Sequence, residues 1–313
     1  MSAAEEADGG VGGRVERWVP PGVGIWTGTL DSVSVERVRD VGAELEALGF
    51  GAVWIPESSG RDVFVQLYTL LSATRRLVGA TGIANIWARD AVAMSAAATS
   101  LTELFPRRVV LGLGVSHAPL VAGVRGHAYA RPLGAMESYL RAMHSAPYQG
   151  PLVDPAPARL LGALGPRMQR LAGEAADGIH PYLVTGEAVA AAREALGPRP
   201  LICPALLVCL QSDRAQARAA VALYMGLDNY VRNFRRMGFT DDDFVDGGSD
   251  RLVDAIVAWG SVDQVAGRVR ELREAGADHV CLNVVSERRQ VPMDEWRRLA
   301  AAVTEQGRAT DDC

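Results

Sequence analysis

Residues 109–119 read VVLGLGVSHAP. An apolar run meets Gly112 and Gly114, and Ser116 and His117 follow. An imidazole titrates near neutrality, which makes His117 the first candidate for moving a proton. The spacing G-x-G-x-x-x-A, closed by Ala118, imitates a dinucleotide-binding turn. Two other stretches carry chemistry. In LGPRM, Leu164 to Met168, a short apolar run stops at Gly165 and Pro166 stands at a natural first helical position. The free N–H groups of Arg167 and Met168, with the Arg167 guanidinium, would make an anion site there; the alternative is an ordinary turn with a solvated arginine. In TGIANIWARD, Gly82 interrupts an apolar run at its end, the mark of a bulge or of close backbone approach.

Short apolar runs alternate with helical patterns along the chain. The runs read as strands are 23–27, 51–55, 77–83, 109–113, 159–163, 178–184, 201–210 and 279–285. Helical patterns separate them, at 34–48, 63–73, about 90–105, 131–144, 167–176 and 187–196. A long helical region spans Asp213 to about Trp259, a helix starts at Ser261, and 293–303 closes the chain. Strands that are apolar throughout and separated by helices imply a parallel sheet covered on its faces. About eight such units without a break in composition predict an α/β fold, a (β/α)8 TIM barrel with an extra helical segment after strand seven. A doubly wound open sheet is the alternative. The expected division is a flexible tail over 1–15 and one barrel domain over 16–313.

The barrel explains the opening glycines better than a dinucleotide turn does. Three strand–helix units precede them, no helix starts directly after Gly114, and Glu137, some 20 residues on, falls inside a helical pattern. On a barrel, the strand ends converge on the C-terminal mouth, where active sites lie. That face receives Trp26 and Thr27, Glu57 and Ser58, Gly82, Ile83, Asn85 and Trp87, then Val115, Ser116 and His117. It also receives Leu164 to Arg167, His180, Tyr182 and Asn283. His180 and Glu57 follow His117 as candidates for acid–base work. Each has a structural reading too: Glu57 as the partner of Arg61 or Arg89, His180 as a satisfied buried histidine, Trp26 and Trp87 as packing under loops.

Composition narrows the classes. The 313 residues are 49% hydrophobic and carry a net charge of -5, so nothing suggests nucleic acid. The chain contains no lysine, so any anion must be held by arginine or by backbone N–H groups. Cys203, Cys209, Cys281 and Cys313 form no C-x-x-C pair and no metal-like spacing, and no metal is expected. No apolar run reaches the length of a membrane span, and the acidic, Gly-rich N-terminus is not a signal peptide. The expectation is a cytoplasmic enzyme acting on a small molecule.

At AVWIPESSGRD, LVGATGIANIWARD, RRVVLGLGVSHAPL, ALGPRMQRLAGEAADGIHPYLV, GGSDRLVDAIVAWG and AGADHVCLNV, the chain resembles the luciferase-like monooxygenase superfamily. It is most similar to the branch of oxidoreductases that use the deazaflavin coenzyme F420. The resemblance spans about Val23 to Val303. It implies a deazaflavin across the mouth, backed by a bulge with a non-proline cis peptide that matches Gly82–Ile83, with Asn85 beside it. It also implies that Val115, Ser116 and His117 flank the ring or its ribityl chain, and that Leu164, Gly165, Pro166, Arg167 and Met168 hold the phosphodiester and tail. The helical segment after strand seven, with Tyr224, Tyr230 and Phe234, would cover the mouth and shape a substrate pocket with Trp26, Trp87 and Tyr182. Sugar-phosphate dehydrogenases of the superfamily have a histidine and an acid where this chain has Ser58 and His117, so that substrate does not carry over. FMN-dependent monooxygenation on the same barrel is one alternative, and a deazaflavin-binding protein without catalysis is another. A sugar- or phosphate-processing barrel without a redox cofactor is a third, though no carboxylate cluster at the mouth supports it. Members are often dimeric, so a homodimer is an expectation of the resemblance alone.

Overall fold

The computed structural model describes residues 18–210, 214–286 and 290–311. The expected tail over 1–15 lies outside them. The strands are β1 (Val23–Trp26), β2 (Ala52–Ile55), β3 (Val78–Thr81), β4 (Ala84–Asn85), β5 (Val109–Gly114) and β6 (Ala158–Leu161). They continue as β7 (Gly178–Ile179), β8 (Leu201–Ile202), β9 (Ala205–Cys209), β10 (Val257–Trp259) and β11 (Val280–Val284). The helices are α1 (Val35–Ala47), α2 (Val63–Leu71), α3 (Ala91–Leu104), α4 (Pro132–His144), α5 (Pro166–Ala175) and α6 (Gly186–Leu196). Then come α7 (Arg214–Ala222), α8 (Asp228–Arg236), α9 (Asp250–Ile256), α10 (Val262–Glu274) and α11 (Met293–Asp311).

Sequence dictates the helix starts. Ser34, Asp62, Asp90, Thr185, Ser249 and Ser261 each accept a backbone N–H of the first turn of the helix that follows. The strands are all parallel, in the order β10-β9-β11-β1-β2-β3-β5-β6-β7-β8, with β4 beside β5. β8 runs directly into β9 through Cys203 and Pro204. The Ala205 N–H donates to Pro181 O at 2.9 Å on one side, and the Cys281 N–H donates to Pro204 O at 3.1 Å on the other. The end strand β8 therefore runs on into β9, the neighbour of the other end strand β10, and the sheet closes as a barrel.

Four expected elements differ in detail: the sixth strand, expected over 178–184, is only β7 with an isolated bridge from Tyr182 to Ala205, and three others change as follows. The third strand is two pieces, β3 and β4, because Gly82 and Ile83 bulge out between them. The seventh is bent at Pro204, which has no N–H to give a ladder. The long helical region divides into α7, α8 and α9 with 3-10 turns between, and its last residues form β10, which pairs with β9. In GGSD, glycines 247 and 248 have φ of +82° and +113° and end any continuous helix before Ser249 caps α9. Among the described residues, no helix is long and apolar enough to cross a membrane.

Between sheet and helices lies the main apolar layer. Inside the barrel, alternate strand residues pack around Trp54, which is fully buried. Its indole stacks on His180, with centroids 4.4 Å apart, and Nε1 donates to Nε2 of the buried His279 at 3.1 Å. The other His279 nitrogen lies 3.1 Å from Pro20 O, so Nδ1 carries the proton. Burial lowers the pKa of His180 to about 4 and of His279 to about 3.

Both folded values lie below the unfolded one, so the unfolded chain takes up protons first as pH falls. The stability these rings contribute is complete above about pH 6.5 and declines from there toward their folded pKa values. Urea titrations at about pH 7 and pH 5 should show a loss of roughly 3 kcal/mol. Equal stability at both values would mean that these rings are not held neutral.

Candidate active site

A cavity of about 360 Å³ opens at the C-terminal ends of the strands. Its floor is the bulge. The Gly82–Ile83 peptide is cis, at the position the resemblance implied. The Trp26 indole N–H donates to Gly82 O at 2.6 Å, and the Glu57 N–H donates to Ile83 O at 3.1 Å, so the bulge is tied on both sides. The Ile83 side chain then lies over the neighbouring strands. A Cβ on Gly114 would stand 1.6 Å from Ile83 Cδ1, and one on Gly162 would stand 2.8 Å from it. A Cβ on Gly112 would meet Thr81 O at 2.2 Å. The opening glycines thus clear space first for the bulge and for Ile83.

The rim after β5 is held from outside. The Trp87 indole donates to Val115 O at 3.0 Å, and the Tyr129 hydroxyl donates to Ser116 O at 3.1 Å. Ser116 takes the left-handed conformation, φ +56°, which turns the chain sharply before His117. His117 lines the cavity and hydrogen-bonds the Asn229 side chain on α8, and its ring lies 5.8 Å from that of Tyr230. Burial lowers its pKa, and the Asn229 bond partly restores it. His117 is therefore neutral at neutral pH and able to accept a proton.

The other two acid–base candidates line the same cavity but are already engaged. His180 Nδ1 lies 2.6 Å from Cys203 O, which places the proton on Nδ1. With its pKa at about 4, the ring offers a fixed acceptor at Nε2 and stays uncharged. Glu57 is clamped by both terminal nitrogens of Arg89 and accepts the Asn85 N–H at 2.8 Å. Its carboxylate joins the end of β2 to β4 and to the turn after it. That is the role of a strut, and the arginine partner weighed from sequence is Arg89.

Of the six aromatic residues expected to shape the pocket, Trp26, Tyr182, Tyr224 and Tyr230 line the cavity, while Phe234 is buried in the core and Trp87 stands apart. Tyr182 stacks on Trp26 at 6.1 Å and meets Tyr224 edge-on at 5.5 Å, and Tyr224 lies 4.7 Å from Tyr230. The Asn283 amide donates to the Tyr182 hydroxyl at 2.9 Å. Burial raises the pKa of all three tyrosines, which keeps them as neutral hydroxyls. Trp87 does not line this cavity; it borders a second, polar one.

Asn85 has an unusual state. It is only 2% exposed, and its Oδ1 accepts the Trp87 N–H at 3.0 Å, but its Nδ2 has no partner among the described residues. A buried amide donor without a partner is costly unless a ligand meets it.

Leu164 lines the cavity, while Gly165, Pro166, Arg167 and Met168 lie just beyond it at the start of α5. Pro166 occupies the first turn as expected and Arg167 is exposed, but the Met168 N–H, expected to be free, donates to Gly165 O at 3.0 Å. Arg236 on α8 reaches this turn, with Nη2 3.5 Å from where a Gly165 Cβ would be. The sequence reading missed Asn229, Tyr129 and Arg236. The pair Asn229 and Tyr230, with Asn233 and Phe234 one turn later, does carry a readable helical spacing in DNYVRNFRR.

The fit between Ile83 and the glycines can be tested by substitution. Gly114→Ala should cost about 1–3 kcal/mol by overpacking, measured by denaturant titration. In an Ile83→Ala background the same change should cost much less. Equal costs in both backgrounds would remove Ile83 as the reason for Gly114.

The model of the luciferase-like monooxygenase family matches residues 18–279. A Mycobacterium tuberculosis protein named as a coenzyme F420-dependent oxidoreductase is 26% identical over 90% of this chain and 98% of its own length. A 5,10-methylenetetrahydromethanopterin reductase of Methanolobus tindarius is 25% identical over 75% of this chain and 86% of its own. Among solved structures, the coenzyme F420-dependent tetrahydromethanopterin reductase of Methanopyrus kandleri superposes with a TM-score of 0.72. It shares 16% identity, over 92% of this chain and 99% of that one, a likeness of fold. With the family model covering most of the chain and the mouth built as described, this protein belongs to the luciferase-like monooxygenase family.

Proposed function

We propose that the protein is an F420-dependent oxidoreductase, transferring a hydride between the deazaflavin and a small organic substrate. The observation that carries this reading is the cavity itself. It has an apolar floor at Ile83, aromatic walls at Trp26, Tyr182 and Tyr230, and a buried, unpartnered amide donor at Asn85. A flat heteroaromatic ring with carbonyl acceptors suits such a chamber. Kinship with proteins named for F420 use supports the same reading.

The cofactor, when bound, supplies a hydride donor or acceptor at ring carbon C5. The protein must hold the ring, orient the substrate and manage one proton. Asn85 Nδ2 would donate to a ring acceptor. The Arg167 N–H and guanidinium at the start of α5, with Arg236 over Gly165, would hold the anionic tail. His117 would move the proton at Nδ1 or Nε2, held in place by Asn229. Trp26, Tyr182, Tyr224 and Tyr230 would exclude water and shape the substrate pocket.

Loss of the imidazole should separate binding from chemistry. His117→Asn should keep F420 binding, followed by fluorescence, while turnover in a screen of alcohols and unsaturated acceptors falls by roughly 10²–10⁴. Substrate oxidation needs neutral His117, so its rate should rise with pH through a midpoint below the ordinary imidazole value of about 6.5. Reduction needs the imidazolium, so its rate should fall across the same window. Unchanged turnover in the variant would displace His117 from the role. Oxygen consumption with FMN would move the assignment to an FMN-dependent monooxygenase. Tight F420 binding without turnover of any substrate would favour a silent deazaflavin-binding protein, a reading to which Ser58 gives some weight.

A further inference from the structure

Beside the ring pocket lies a second cavity, of about 490 Å³, between the end of β2, the turn after β4 and the loop over 118–130. It shares only Glu57 and Ser58 with the first. Trp87, fixed through its bond to Val115 O, stands on the polar side of that division.

The charges lining this cavity do not balance locally. Its two carboxylates, Glu57 and Asp62, are both taken by Arg89. Arg61 and Arg125 remain. The Arg61 guanidinium donates to Leu30 O at 3.3 Å and Val33 O at 2.9 Å, while nearby Asp31 accepts the Arg61 backbone N–H at 3.3 Å. Arg125 donates through Nη2 to Ser58 O at 2.7 Å, and its Nε is buried without a partner. Neither guanidinium has a carboxylate within ion-pair distance among the described residues. The Ser58 and Ser59 hydroxyls are exposed at the same place, and His127 closes the cavity against the Trp87 ring at 6.2 Å. A latch between the loop and β2 needs one N–H of Arg125. It does not account for the orphaned Nε of Arg125, nor for Ser58 and Ser59 lining the same space; Arg61 has Asp31 nearby as a partial counter-charge.

We propose that this cavity is an oxyanion site, with Arg125 as its anchor, taking the carboxylate or phosphoryl group of a small anionic ligand. A guanidinium fork with adjacent hydroxyls suits either group. The site is distinct from the turn at the start of α5, where the proposed cofactor's own anionic tail would lie. Its position against the ring pocket suits the anionic end of a substrate.

The proposal can be tested on the full chain without any deazaflavin, so its outcome is independent of the cofactor assignment. The His127 imidazole resonances are followed by NMR at fixed pH and ionic strength, with inorganic phosphate and acetate added separately and chloride as control. His127 should shift saturably with at least one anion and not with chloride. Exposed His144, at the end of α4, should show no saturable change. Tighter saturation by phosphate indicates a phosphoryl ligand, and tighter saturation by acetate a carboxylate. Arg125→Gln should weaken the binding about tenfold. Ser59→Ala, which leaves the Arg125 latch intact, should weaken it by a smaller factor. A His127 signal that responds to neither anion would overturn the proposal in the wild-type protein. So would saturation left unchanged by both substitutions.

Discussion

The mouth of this barrel depends on one steric fit, the Ile83 side chain seated over Gly114 and Gly162. A bulge at the end of β3 sends that side chain across two neighbouring strands, and only residues without a Cβ leave room for it. The Trp26 indole and the Glu57 N–H bind the bulge on either side. Those two contacts draw the ends of β1 and β2 into the same arrangement. The cavity floor is therefore the joint product of five strands, and no short motif encodes it alone.

A second layer of control is electrostatic. With no lysine in the chain, every fixed side-chain cation is an arginine, and their partners differ by place. Arg89 gathers Glu57 and Asp62 into a strut that joins β2 to the start of α2. Arg236 leans over the start of α5, where the positive end of the helix favours an anion although the Met168 N–H is already given to Gly165 O. Within the barrel the rings of His180 and His279 are kept neutral by burial, which outweighs the carbonyl acceptors that fix their tautomers. His117 is left as the histidine of the mouth that is both bordered by the cavity and tied only to an amide.

Much of this was legible in the sequence. Apolar strands with capped helices between them specify the barrel, and the strand ends specify which residues share its mouth. The bulge at Gly82 was visible as a glycine where a strand should continue. What the glycines of β5 make room for was not visible, because Ile83 lies about thirty positions away and only the closed sheet brings it over them. The strut at Glu57 was weighed but not decided, since a carboxylate beside an arginine reads the same whether it catalyses or braces. Trp87 was assigned to the substrate pocket. Its indole faces outward to Val115 O and a second cavity, an orientation set by the turn after β4 rather than by spacing. The region from Asp213 to Trp259 reads as a long helical region because its apolar spacing is helical almost throughout. Its two consecutive glycines were the signal that it breaks.

The central claim is that this mouth is built for a deazaflavin. Fluorescence-monitored titration of the purified protein with F420 and, separately, with FMN tests it most directly. The account predicts saturable binding of F420 at micromolar or lower concentration, clear preference over FMN, and weakening when Asn85 is replaced by Ala. Preference for FMN, or binding of neither, would contradict it.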